Sequence, residues 1–112
     1  MTKTELIHKM DIAHENGIPT RLNRCSAWMY ANEYSQAVAL VSYKTPVAMY
    51  WRGFVWEFDR WSNTTTQHVS KFAQFMDAPV VSLYRRSGMS KRDFQRHEKC
   101  DWSDVIDAVL ST

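Results

Sequence analysis

Glycine, proline and cysteine are scarce in this 112-residue chain, which contains three glycines, three prolines and two cysteines. A phosphate-binding loop needs several glycines at fixed spacing, because its backbone amides must approach the phosphate closely, and no such motif is present. Two cysteines without a secretion signal predict reduced thiols and not a disulfide framework. The fold must therefore be stabilised by a buried core.

Long apolar runs are also absent. No segment approaches the roughly 20 apolar residues that a membrane span needs. The first ten residues, MTKTELIHKM, lack the apolar core of a signal peptide. With 45% hydrophobic and 23% charged residues, the composition is that of a globular protein large enough for one core. We expect a single domain over residues 1–112, located in the cytoplasm and not bound to a membrane.

Aromatic residues, by contrast, are plentiful, and they mark a predicted β-hairpin. The segments QAVALVSY and PVAMYW alternate with period two and are rich in the residues that favour strands. Arg52-Gly53 then predicts a tight turn, and Pro46 is expected at an edge, a bulge or a turn because it lacks an amide donor. This register places six side chains on one face of the sheet: Val47, Met49, Trp51, Phe54, Trp56 and Phe58.

The N-terminal third of the chain predicts one helix followed by an irregular segment. Thr2 and Glu5 form a capping-box pattern, and apolar residues recur at helical spacing over the range Lys3 to Glu15. Residues 19–35 show no clean period. We expect a loop there, with a short strand or helical turn around residues 26–30.

A second helix is predicted after the hairpin. Thr64 with Gln67 fits a capping box, Thr65 is a competing N-cap, and the helix should end near Asp77. An apolar stripe along this helix is expected to cover the aromatic face of the sheet, and it consists of Val69, Phe72, Ala73 and Met76.

The remaining segments complete an α+β prediction. VVSLY indicates a strand, RRSGMS a loop, and KRDFQRHEK a short helix capped by Ser90. The last helix is expected to begin with Asp101 or Ser103 as its N-cap. The predicted fold is a small antiparallel sheet of three to four strands, containing the aromatic hairpin and packed against helices.

Three groups of residues could in principle carry chemistry at the strand and helix ends. Glu57 and Asp59 alternate on the face opposite the aromatics, as polar residues on a solvated strand face normally do. His97 and Cys100 have the spacing of half a zinc site but lack a second ligand pair, so we expect no metal and no cofactor. The start of the second helix offers a weak anion site, because backbone amides and the helix dipole favour anions there; its residues are Thr64, Thr65, Thr66 and His68.

Positive charge is concentrated in residues 85–99, where six basic residues accompany two acidic ones, while the whole chain has a net charge of only +2. Cations interleaved with aromatics are typical of surfaces that bind nucleic acid or anchor a protein interface. The predicted partner-binding residues are Tyr84, Arg85, Arg86, Lys91, Arg92, Phe94 and Arg96.

The segment SYKTPVAMYWRGFVWEFDRWSNTTTQHVSKF resembles small uncharacterised phage and prophage proteins, which combine a Ser-Tyr-x-Thr-x-Val-Ala hairpin with a Thr-Thr/His helix start. The matching residues are Ser42, Tyr43, Thr45, Val47, Ala48, Thr65, Thr66, His68 and Val69. The resemblance implies a phage origin more than an activity, since it brings no established catalytic role with it, and it favours binding of host or viral macromolecules over catalysis.

These observations lead to one main functional hypothesis and two alternatives. The main hypothesis is a non-enzymatic phage-type accessory protein that binds a host protein, for example as an anti-defence inhibitor of a nuclease complex. One alternative is a nucleic-acid-binding module that uses the basic segment 85–99. The other is an anion-binding protein or enzyme centred on His68.

Overall fold

The computed structural model describes residues 1–32, 36–59, 61–97 and 100–111. Within these residues, six strands form one mixed sheet and five helices pack around it. The α+β class predicted from the sequence is confirmed, but the sheet has six strands where three or four were expected. No helix in the described part of the chain is long and apolar enough to cross a membrane.

The strands lie in the sheet in the same order as in the chain. Their bounds are β1 Ile18–Arg21, β2 Ala27–Ala31, β3 Val38–Ser42, β4 Thr45–Trp51, β5 Phe54–Glu57 and β6 Val80–Ser82. Neighbours pair antiparallel from β1 to β5, whereas β5 and β6 pair parallel. The predicted antiparallel sheet is therefore mixed, because a helix crosses over between β5 and β6.

The helices are α1 Lys3–Asn16, α2 Asn63–Met76, α3 Leu83–Ser87, α4 Lys91–Arg96 and α5 Ser103–Leu110. Two predicted N-caps are confirmed. The Thr2 side chain accepts a hydrogen bond from the Glu5 amide at 3.1 Å, and the Ser90 side chain accepts one from the Asp93 amide at 3.2 Å.

Two helix starts differ from the prediction. The segment expected as a loop after β6 contains α3, whose N-cap Ser82 accepts a hydrogen bond from the Arg85 amide at 3.3 Å. At α5, Trp102 occupies the N-cap position with a φ of 55°, and the Asp101 carboxylate accepts a hydrogen bond from the Ser103 amide at 2.9 Å. In both places a serine or aspartate satisfies a helix-start amide, at a position that the sequence pattern alone does not fix.

The hairpin between β4 and β5 has the predicted register. Trp51 pairs with Phe54 and Met49 pairs with Trp56, whose side chain is fully buried. The turn residues Arg52 and Gly53 have φ values of 51° and 82°, as a type I′ turn requires. Of the three positions considered for Pro46, the structure selects the bulge: the register between β3 and β4 shifts at Leu40 and Val41, and Pro46 lies opposite Val41.

The sheet is covered on both faces, so the protein has two hydrophobic cores. One face carries the large aromatics and packs against α1, α3, α4 and α5, with Trp51, Trp56 and Phe58 at its centre. The other face packs against α2 through residues that include Leu40 and Val55. The prediction that the aromatic hairpin and the second helix share one buried cluster is therefore wrong.

The reason is that α1 and α5 already cover the aromatic face. Phe72 of α2 packs on the opposite face, and so does Val47, which the bulge at Pro46 displaces from the predicted alternation. Strands buried on both faces carry apolar residues at consecutive positions, as the runs AVALV and PVAM do.

The first two strands occupy the segment that was expected to be mainly loop. Every residue of β1 is exposed, so its sequence has no alternation of apolar and polar positions to reveal it. Gly17 joins α1 to this strand. A Cβ atom at this position would lie 2.4 Å from the Ala13 carbonyl oxygen and 2.8 Å from the Ala31 amide nitrogen, so the close approach requires glycine.

Candidate functional site

Three of the strands that end at one edge of the sheet, β3, β5 and β6, end with a buried polar residue. Because β4 is antiparallel to β3 and β5, and β6 is parallel to β5, the carboxyl ends of β3, β5 and β6 point in one direction. These strands end with Ser42, Glu57 and Ser82. In open sheets with parallel strands, ligands bind beyond the carboxyl ends of those strands, so this edge is the place to look for a site.

The first polar group at this edge is enclosed, and we call Ser42, Thr65 and His68 the sealed cluster. The Ser42 hydroxyl lies 2.8 Å from His68 Nδ1 and 3.3 Å from the Thr65 hydroxyl. Ser42 and His68 are only 2% and 6% exposed. Burial lowers the pKa of His68, and the nearby Lys71 cation lowers it further.

A serine within hydrogen-bond distance of a histidine has the geometry of an activated nucleophile. Here, however, the serine is buried between β3 and α2, and no described carboxylate contacts the far side of the imidazole. The hydrogen bonds connect the end of β3 to the first turns of α2. The sealed cluster is therefore an internal brace between a strand and a helix.

The second polar group lines a cavity of about 340 Å³, which we call the open cleft. The last residues of the two parallel strands and the first residue of β6 line it, together with residues of α2 on one side and of α3 on the other. Its lining residues are Glu57, Thr66, Val69, Ser70, Val80, Ser82, Arg85 and Arg86. Thr66, Val69 and Ser70 share one face of α2, since they are three and four residues apart.

Glu57 is the buried acid of the open cleft. Only 8% of this residue is exposed. Burial raises the pKa of the Glu57 carboxyl, although a hydrogen bond from the Ser82 hydroxyl and the positive charge of Arg85 act in the opposite direction. Burial of this kind disfavours the ionised form of a carboxyl group. Carboxyl groups with a raised pKa are common in binding and catalytic sites.

Next to the open cleft lies a positively charged surface, which we call the basic face. It consists of the exposed side chains Arg85, Arg86, Lys91, Arg92 and Arg96 on α3 and α4. Among the residues that the structure describes, no carboxylate lies within ion-pair distance of any of these five groups. The described part of the fold therefore forms no ion pair with the basic face.

The two aromatic residues predicted to accompany these cations point inward. Phe94 is 2% exposed and stacks on Trp102 with ring centroids 5.5 Å apart. Tyr84 is half-buried and meets Phe94 edge to face at 5.3 Å. Phe94 is the buried residue of α4 and holds this short helix on the domain, so it is not available as an exposed anchor.

The four residues of the predicted anion site separate. Thr64 is exposed, Thr65 and His68 belong to the sealed cluster, and Thr66 lines the open cleft. The predicted N-cap is also wrong, because the Ser62 side chain accepts the hydrogen bond from the Thr65 amide at 3.3 Å and α2 begins at Asn63. Serine, asparagine and threonine can all serve as N-caps, so the run Ser-Asn-Thr-Thr-Thr does not fix the start.

Glu57 also differs from its predicted position on a solvated strand face. The second helix covers that face, so Glu57 is buried and lines the open cleft. The signal that could have identified it is a single acid within the apolar run FVWEF, because a charged residue in a buried strand needs a specific reason. Ser70 and Ser82 gave no such signal.

Cys25 lies between β1 and β2, where its Sγ accepts a hydrogen bond from Lys71 Nζ at 3.3 Å, and the half zinc site is exposed at the surface. Cys25 and Cys100 are free thiols. Cys100 Sγ lies 3.7 Å from His97 Nδ1, and residues 1–32, 36–59, 61–97 and 100–111 contain no group of three potential metal ligands.

Comparison with protein families places the chain in one of them. The model described as a family of unknown function (DUF8033) matches residues 1–96, and the chain belongs to this family. No curated protein and no solved structure matches the chain. The matched region contains the sealed cluster, the open cleft and the basic face, whereas α5 lies beyond it.

Proposed function

We propose that this protein binds another protein, and that an acidic surface of the partner docks on the basic face. The observation that carries the proposal is the set of five exposed cations without a described carboxylate partner. Arginine binds carboxylates through two parallel hydrogen bonds, so four arginines and one lysine favour acidic side chains on the partner. No described residue of the fold forms an ion pair with these five groups, so they are available to bind the partner.

The charge distribution favours a protein over a nucleic acid. The chain has a net charge of +2, and the residues outside 85–99 together have a net negative charge. Long-range attraction to a polyanion is therefore small, whereas a local acidic patch needs only the local cations. The resemblance to phage and prophage proteins supports a host protein as the partner, for example a nuclease complex that this protein would inhibit without catalysis.

Nucleic acid is the second candidate, and the burial of Phe94 favours it. With that ring in the core, the basic face presents cations without the exposed aromatic anchors that are common in protein interfaces. Contacts to a phosphate backbone need cations alone.

The test uses a pair of charge-matched variants. Lys91→Ala with Arg92→Ala removes two cations from α4, while Arg24→Ala with Lys44→Ala removes two exposed cations elsewhere. Each tagged protein is mixed with nuclease-treated host lysate, and recovered proteins are identified by mass spectrometry. We expect the wild type and the second variant to recover the same partner and the α4 variant to lose it.

The same proteins are then tested against a random oligonucleotide across a salt series. For a nucleic-acid partner, the wild type should bind the oligonucleotide tightly at about 0.15 M salt. The logarithm of the affinity should then fall linearly with the logarithm of the salt concentration, with a slope of roughly −0.7 to −0.9 per phosphate contact. This result would replace the protein partner with a nucleic acid. Recovery of the partner by the α4 variant at the wild-type level would show that the basic face is not the binding surface.

A further inference from the structure

We propose that the open cleft binds a small molecule that carries a phosphate group at one end and a hydroxyl or amino group at the other. The proposal goes beyond the docking of a protein on the basic face and does not depend on it, although Arg85 and Arg86 contribute to both surfaces. It rests on the cavity and on the arrangement of polar groups along its walls.

One end of the open cleft is suited to phosphate. Arg85 and Arg86 are exposed at its rim on α3, and the Ser70 hydroxyl of α2 lines the same cavity. Two guanidinium groups and this hydroxyl supply more donors than the two oxygens of a carboxylate need, whereas a phosphate monoester has three terminal oxygens. The donor set therefore fits phosphate better than carboxylate.

The other end is suited to a hydrogen-bond donor. Glu57 is buried at the end of β5, where an ionised carboxylate repels phosphate and accepts hydrogen bonds from hydroxyl or amino groups. The Ser82 hydroxyl occupies one acceptor position of this carboxyl and leaves others for a ligand. Positive charge at the rim and an acid in the interior thus orient a ligand with two different ends.

The size and position of the cavity limit the ligand further. A volume of about 340 Å³ is at the lower end of the roughly 300–1,000 Å³ that ligand pockets occupy, which suits a small metabolite and excludes a dinucleotide. Val69 and Val80 provide an apolar wall for a short carbon chain between the two ends. The carboxyl ends of parallel strands are a common place for such sites.

The experiment compares two probes that differ only in their hydroxyl groups. Glycerol 3-phosphate and propyl phosphate share the phosphate and the three-carbon chain, but only the first offers hydroxyl donors to Glu57. Isothermal titration calorimetry with the wild-type protein should give an affinity for glycerol 3-phosphate about tenfold higher than for propyl phosphate, as a hydrogen bond to a charged group predicts.

Two variants separate the ends of the cleft. Arg85→Ala with Arg86→Ala should lower both affinities by about tenfold or more, because both probes lose their phosphate contacts. Glu57→Met should leave propyl phosphate binding unchanged or strengthen it, because a carboxylate that repels phosphate is removed, and it should abolish the preference for glycerol 3-phosphate. Glu57→Gln, which retains a hydrogen-bonding side chain, should reduce the preference only in part, and it serves as the test if Glu57→Met does not fold.

The variant with Lys91→Ala and Arg92→Ala is the control that keeps the two proposals apart. These residues do not line the cleft, so both probe affinities should remain at the wild-type values even where recovery of a protein partner is lost. The proposal is overturned if the wild type binds neither probe at millimolar concentration, if it binds both equally, or if the arginine variant binds as the wild type does.

Discussion

The sealed cluster and the open cleft lie at the same edge of one sheet and contact the same helix, yet they differ in closure. Each contains hydroxyl groups and one buried titratable side chain, His68 in the first and Glu57 in the second. In the sealed cluster these groups hydrogen-bond to one another and are buried, whereas in the open cleft they line about 340 Å³ of accessible space. Closure, and not residue type, separates a structural hydrogen-bond network from a binding site.

The start of α2 supplies residues to both the sealed cluster and the open cleft. Successive residues of a helix point about 100° apart, so the neighbours Thr65 and Thr66 at the start of α2 face different directions. Thr65 reaches Ser42 in the sealed cluster, and Thr66 lines the open cleft. A run of identical residues thus divides between two roles according to helical geometry.

The largest effect on stability is expected when the His68 side chain is removed from the sealed cluster. His68→Ala removes a buried ring and leaves the Ser42 hydroxyl without its closest partner, so the free energy of unfolding should fall by on the order of 3 kcal/mol. Urea denaturation measures this change, and His8→Ala on the exposed side of α1 is the matched control, expected within about 0.5 kcal/mol of wild type. Unchanged stability combined with lost binding would make His68 a functional residue and break the comparison.

Low pH should also reduce the stability that the sealed cluster gives to the fold. The pKa of His68 is lowered from its ordinary value of 6.5 by burial and by Lys71. Between that lowered value and 6.5 the unfolded chain binds a proton that the folded chain does not, so the free energy of unfolding decreases as the pH falls below 6.5. The decrease is limited to about 1.4 kcal/mol per pH unit for one group.

This effect is best measured in the Glu57→Gln background. The raised pKa of Glu57 produces the opposite trend, since the folded protein then binds the extra proton at low pH. In that background, His68→Gln should remove the decrease between about pH 7.5 and pH 5.5. A decrease that persists after this substitution would come from another group.

A smaller effect is expected at the start of the helix that serves both places. Ser62→Ala removes the side-chain oxygen that accepts the Thr65 amide, and it should lower the free energy of unfolding by about 1 kcal/mol. Thr64→Ala, one residue into the helix and exposed, should have almost no effect. If Thr64→Ala lowered the free energy of unfolding more than Ser62→Ala, the N-cap would be Thr64, as the sequence pattern predicts.

Local signals predicted the hairpin and much of the helix content correctly. The turn at Arg52-Gly53 fixes which residues of β4 and β5 face each other, and the caps at Thr2 and Ser90 fix two helix starts, because each depends only on residues nearby in the chain. What depends on distant contacts was not predicted. Nothing near Phe72 indicates which face of the sheet α2 covers, since α1 and α5 decide this by occupying the other face.

The candidate site depends on the same kind of long-range information. Glu57 and Arg85 are 28 positions apart, and they share the open cleft only because α2 crosses from β5 to a parallel β6. The predicted basic segment is partly visible in the sequence, since its charges are local. The inward direction of Phe94 is not visible, because it depends on packing against Trp102.

The smallest expected effect has the opposite sign from the others and distinguishes a binding residue from a structural one. Burial raises the pKa of Glu57 from its ordinary value of 4.5, so above the raised value the folded protein holds an ionised carboxylate that would be more stable in the unfolded chain. Glu57→Gln removes this charge with almost no change in shape, and the free energy of unfolding at about pH 7.5 should increase by about 0.5 kcal/mol. The gain should disappear below pH 4.5, where Glu57 is protonated in both states. Thermal unfolding at the two pH values measures it, and a loss of stability at neutral pH would mean that Glu57 braces the fold as His68 does.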